Sequence, residues 1–116
     1  MRFISTRGKS VAENAAYAIA KGLADDGGLF VPESFPELGD KIEEMLDMEY
    51  ADRAALVIGS FLPEYDGKEL LSACVKAYGQ FEDGDAAPIV KTDDGFFILE
   101  LFHGPTLAFK DMALTL

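Results

Sequence analysis

The spacing of apolar residues changes once along this chain, and that change limits the folds open to it. Up to about residue 81 the apolar positions recur at helical spacing, three and four apart. From residue 88 onward the pattern is that of short strands: Pro88-Ile89-Val90-Lys91 and Phe96-Phe97-Ile98-Leu99-Glu100-Leu101-Phe102 flank Thr92-Asp93-Asp94-Gly95. That arrangement predicts a β-hairpin, because Asp-Gly tolerates the positive φ a tight turn requires. The polar segment Glu82-Asp83-Gly84-Asp85 lies between the two regimes and marks a boundary. The expectation is a mixed α+β or α/β chain, with a helical N-terminal domain over residues 1–84 and a second domain that begins at 85–116 with a hairpin and a helix.

Within the first part, Ser10-Val11-Ala12-Glu13 fits a capping box, in which hydroxyl and carboxylate satisfy orphan backbone donors. It predicts a helix over residues 10–23, with Val11, Ala15, Ala18, Ile19 and Gly22 on one face. Asp25-Asp26-Gly27-Gly28 ends it, and Leu29-Phe30-Val31 is a short strand stopped by Pro32. Further helices are expected over 36–45, over 49–61 after a cap at Asp47, and after a cap at Asp66. The second of these turns Ala51, Ala54, Ala55, Ile58 and Leu62 inward, and the third buries Leu70, Leu71, Cys74, Val75 and Tyr78.

The chain has 116 residues, enough for one ordinary hydrophobic core. Its net charge of −11 argues against nucleic acid, whose affinity depends on Lys and Arg meeting phosphates. An anionic ligand would need a locally positive pocket of backbone amides. No apolar run approaches the ~20 residues of a membrane span, and the N-terminus lacks the apolar core of an export signal. A single cysteine, Cys74, reads as a small core residue, and with one histidine the chain offers no zinc set, so no metal site is expected. The expected location is the cytoplasm.

The chemistry concentrates near the end of the sequence, where Lys110 follows a Gly-Pro-Thr turn at the start of an apolar helix. Leu107-Ala108-Phe109 before it and Met112-Ala113-Leu114 after it imply a helix buried on more than one side. An unpaired ammonium is costly there. Either Asp111 partners it or the amine is consumed covalently, and desolvation suits a lysine nucleophile because it frees the lone pair.

His103-Gly104-Pro105-Thr106-Leu107-Ala108-Phe109-Lys110-Asp111 resembles the pyridoxal-phosphate lysine motif of the threonine synthase family, in its bacterial and fungal branch. Ser5-Thr6-Arg7-Gly8 and Gly22-Leu23-Ala24-Asp25-Asp26-Gly27-Gly28-Leu29-Phe30-Val31-Pro32 resemble the N-terminal signature of the same family. Fold-type II pyridoxal enzymes more widely tend to read Pro-Thr-Gly-Ser-Phe-Lys-Asp. This chain has Leu107-Ala108 in place of Gly-Ser, as that branch does.

The resemblance implies that Lys110 binds pyridoxal 5'-phosphate covalently and shuttles protons, and that O-phospho-L-homoserine and water become L-threonine and phosphate. It places Phe109 either beside the cofactor or in the core. His103 either touches a phosphate or is a turn histidine, and Asp111 is a helix-start or lysine partner. A glycine-rich phosphate loop and a group facing the ring nitrogen are not found in the sequence, since Gly27-Gly28 leads into a strand. The chain is therefore expected to be the N-terminal part of a longer enzyme, inactive alone, with the fold-type II domain incomplete and an exposed strand inviting self-association; the oligomeric state is left open. The competing readings are a non-catalytic module that keeps the N-terminal domain, and a related lyase acting on another phosphorylated amino acid.

Overall fold

The computed structural model describes residues 1–82 and 85–116, which form two compact units: Met1–Asp47 with Leu56–Gly67, and Met48–Ala55 with Lys68–Leu116. The boundary expected after residue 84 falls on Asp83 and Gly84, outside the described residues. The second unit takes in residues 68–82 together with the hairpin.

The first unit opens with a strand at Val11–Ala12 where the sequence reading expects helix, with another at Phe3–Ser5 to which it assigned no element, and with the expected strand near Leu29–Val31. Strands β1 (Phe3–Ser5), β2 (Val11–Ala12) and β3 (Phe30–Pro32) form an antiparallel sheet in the order β2-β1-β3. Phe3 faces Ala12 on one side and Pro32 on the other. Proline is tolerated in β3 because that strand is an edge. The Ser10 capping box does not form: the Ser10 carbonyl accepts from Ser5 N–H at 2.8 Å, and Val11 pairs with Ile4. A strand ladder fixed by the Gly8 turn, at φ 74°, has captured these residues first.

Helix α1 (Ala15–Lys21) starts after Asn14, whose side chain accepts from Tyr17 N–H at 2.8 Å. Glu64 accepts from Ala16 N–H at 3.0 Å, so two of the orphan donors at this terminus are satisfied from different parts of the unit. Gly22, at φ 72°, ends the helix and donates to the Ala18 carbonyl. Ala15 and Ala18 are buried as expected, but Ile19 is 62% exposed.

Asp26 ties the sheet together. Its carboxylate accepts from Ser5 Oγ at 2.6 Å and from the N–H groups of Lys9 and Gly28 at 3.0 Å. The Ser5 hydroxyl, joined by the Gly28 and Lys9 amides, holds this carboxyl below its ordinary value against the opposing effect of burial. Gly28 has to be glycine here, since a Cβ would lie 2.0 Å from Ser5 Oγ. In place of one helix over 36–45 there is a 3-10 turn at Gly39–Lys41 leading into α2 (Ile42–Met45). The helical stretch begins only at Gly39, with residues 36–38 outside it.

Helix α3 (Tyr50–Phe61) forms close to its expected span, although none of its residues is fully buried. Helix α4 (Gly67–Tyr78) carries the core of the second unit on Leu70, Cys74, Ala77 and Tyr78, spaced i, i+4, i+7, i+8. Val75, expected inside, points outward, and Ala77 takes its place. Cys74 is fully buried and unpaired, with its thiol pushed up by burial. Tyr78 packs edge-on to Tyr50 at 4.9 Å and near Phe81 at 5.7 Å. Strands β4 (Ile89–Lys91) and β5 (Phe97–Leu99) form the expected hairpin, with Val90 opposite Ile98 and Gly95 at φ 84°. All six of their residues are exposed. Helix α5 (Asp111–Leu114) follows, and among the described residues no helix is long and apolar enough to cross a membrane.

Candidate active site around Lys110

Lys110 sits at the N-terminal end of α5, with its backbone already helical at φ −64° and ψ −24°. The turn that delivers it is locked from within. The Asp111 side chain accepts two hydrogen bonds from Thr106, from the N–H to Oδ2 and from the hydroxyl to Oδ1, both at 2.7 Å. Asp111 is only 6% exposed, and the Thr106 hydroxyl and amide hold its carboxyl below the ordinary range. Asp111 therefore serves the turn at the helix start. Among the described residues, no carboxylate forms an ion pair with Lys110.

Two backbone features make that lock possible. Gly104 is packed against Asp111 so closely that a Cβ would fall 2.5 Å from the Asp111 Cβ and 2.6 Å from Oδ2. Leu107 adopts φ 58°, a left-handed conformation that costs a branched side chain energy and persists only where surrounding contacts impose it. The Leu107 N–H donates to the Gly104 carbonyl at 3.0 Å, and Asp111 N–H donates to Ala108 at 3.0 Å.

The turn is anchored to the rest of its unit. Glu82 N–H donates to the His103 carbonyl at 3.1 Å, and Tyr78 Oη–H donates to the Met112 carbonyl at 3.1 Å. The His103 ring stacks on Phe102 at 4.7 Å and gives its Nε2 to the Glu100 carboxylate at 2.7 Å. That contact occupies one ring nitrogen of His103 within its own turn.

Lys110 lines an open apolar recess of about 440 Å³ with Leu101, Phe109, Met112, Ala113 and Leu114. The enclosure expected from the sequence is not supplied by these residues. Lys110 itself is exposed, and Phe109, placed beside it, is 66% exposed. The physical reason is the size of the surroundings: one turn of helix following a loop brings too few neighbours to cover the apolar side chains beside Lys110 on more than one side.

Sequence reasoning brought Lys110, Phe109, His103 and Asp111 into one segment, and the structure joins Asp111 to the turn while leaving Phe109 and Lys110 on the recess. It missed Thr106 as the partner of Asp111, five residues away, and Glu100 as the partner of His103. The second carried a partial signal, since Glu100 and His103 are an acid and an imidazole only three residues apart. The first had none, because a left-handed Leu107 is not announced by its residue type.

Residues 2–78 match the family model described as threonine synthase N terminus. The chain is 40% identical to threonine synthase of Pseudomonas aeruginosa and 39% identical to that of Schizosaccharomyces pombe, over 100% and 97% of its length. A PLP-bound threonine synthase from Brucella melitensis superposes with a TM-score of 0.91 at 38% identity, covering 98% of this chain and 25% of that one. The chain spans about a quarter of the length of these relatives, 25% and 22% for the two sequences. With a mixed α/β structure that matches the N-terminal region of such enzymes, the chain belongs to the threonine synthase family.

Proposed function

We propose that this chain is the N-terminal portion of a pyridoxal-phosphate-dependent threonine synthase, in which O-phospho-L-homoserine and water give L-threonine and phosphate. Lys110 is the residue that binds the cofactor covalently, and Phe109 lies beside it. Residues 1–84 are assigned to the N-terminal domain and 85–116 to the opening of the cofactor domain, a division the family match over residues 2–78 favours while residues 68–82 pack in one unit with the hairpin.

The residues present suit one end of this cofactor. A primary amine attacks an aldehyde carbon, and Lys110 presents one at the rim of an apolar recess against which a planar ring can lie. The phosphate end finds no grip here: among the described residues no glycine-rich turn leads into a helix beside Lys110. Pyridoxal phosphate, when bound, supplies an electron sink for carbanion chemistry at an amino acid.

The part played by this chain is then positional and acid–base. The Gly104–Asp111 lock fixes where the backbone of Lys110 lies, and Leu101, Met112 and Leu114 line the open apolar recess beside it. A lysine amine released during turnover can accept and return protons at the substrate carbons. The reading is carried by one observation above the others, the likeness across 98% of the chain to a PLP-bound threonine synthase. It is tested by phosphate release from O-phosphohomoserine by the full-length protein. Lys110→Ala is expected to lower the rate by about a hundredfold or more. Equal turnover by both proteins would refute the assignment.

A further inference from the structure

With Lys110 as the attachment residue of the proposed function, we infer that Asp111 is a positioning residue: its clamp on Thr106 sets the direction in which Lys110 leaves the turn. Lys110 lies within the loop that the clamp closes, between Thr106 and Asp111, whose two bonds of 2.7 Å restrict how far its backbone can turn. Gly104 closes the remaining space, with Asp111 where its own Cβ would be. Leu107, at φ 58°, stores strain that the clamp opposes. The helix beyond contributes little restraint, being a single turn whose Lys110 carbonyl accepts from Ala113 and Leu114 N–H. What keeps the amine in register is therefore the carboxylate next to it in sequence, acting backward on the turn. Alanine at that position offers the two Thr106 donors no acceptor, whereas asparagine could keep both contacts by donating its amide N–H to the Thr106 hydroxyl.

The test separates holding the fold from aiming the amine. In the full-length holoenzyme, total bound pyridoxal phosphate is measured by release into alkali, and the fraction linked to Lys110 by borohydride reduction and peptide mass spectrometry. Loss of folded protein lowers both quantities together, whereas misdirection lowers the linked-to-bound ratio. Asp111→Ala is expected to reduce that ratio by about tenfold and kcat by tenfold or more, with KM nearly unchanged, since a displacement of about 1 Å costs up to about a hundredfold. Thr106→Val removes the hydroxyl bond and keeps the amide bond, so it lowers the ratio less, and it serves if the Asp111 variant does not fold. Thr106→Ser keeps both donors and retains the ratio. A wild-type ratio in Asp111→Ala, or in Thr106→Val should the first not fold, overturns the positioning role while Lys110 stands. An adduct on another lysine in the unsubstituted enzyme overturns the Lys110 assignment itself.

Discussion

Gly104→Ala probes the packing on which the Lys110 turn depends. The added Cβ would lie 2.5 Å from the Asp111 Cβ, 2.6 Å from Oδ2 and 3.0 Å from Cγ. Carbon atoms in contact prefer about 3.5–4.0 Å, so roughly 1 Å must be found. The nearest atoms belong to a short side chain that is buried and held by two bonds, so it cannot swing aside as the end of a lysine could. Overpacking of this kind costs about 1–3 kcal/mol. Urea unfolding of the full-length protein, followed by circular dichroism, should show that loss. Hydrogen exchange should show the Thr106 amide losing its protection. Gly67→Ala is the control: it meets nothing within 4 Å at the start of α4 and should be neutral or stabilising by about 0.4–1 kcal/mol. A Gly104→Ala protein with the unsubstituted midpoint and a protected Thr106 amide would mean that Asp111 is not seated against Gly104.

Two further outcomes follow from the first unit. Gly28→Ala drives a Cβ to 2.0 Å from the buried Ser5 hydroxyl and should destabilise by about 1–3 kcal/mol in the same urea assay, with Gly39→Ala, which faces open space, near neutral. The Asp26 carboxyl is held below its ordinary value of 3.8, first by the Ser5 hydroxyl. A group lowered on folding contributes stability above its unfolded pKa and loses it as pH falls through the folded one, so Asp26→Asn should flatten the decline in urea midpoint below about pH 4. An unchanged acid slope would remove Asp26 from that role.

The sequence was most legible where a periodic pattern had room to repeat. Twelve-residue α3 and α4 present several turns of their apolar stripe, and the hairpin announces itself through Asp94-Gly95 between apolar runs. Even there one residue of the α4 face was misplaced, because hydropathy favours Val75 over the smaller Ala77 that is in fact buried. Strands of two or three residues carry no period, so β1 went unassigned and β2 was hidden behind a Ser10–Glu13 capping pattern that the Phe3 to Ala12 pairing overrode. Around Lys110, residue types conveyed the chemistry and not the enclosure. The motif located the amine at the head of α5, while the exposure of Phe109 and the Thr106–Asp111 lock depend on backbone geometry and on neighbours that spacing along the chain does not encode.

The central claim is that Lys110 carries the cofactor. Borohydride reduction of the full-length holoprotein, digestion and mass spectrometry test it directly: the phosphopyridoxyl mass should map to Lys110 and vanish in Lys110→Ala. Its appearance on Lys91 or any other lysine, or on no residue at all, would contradict the account.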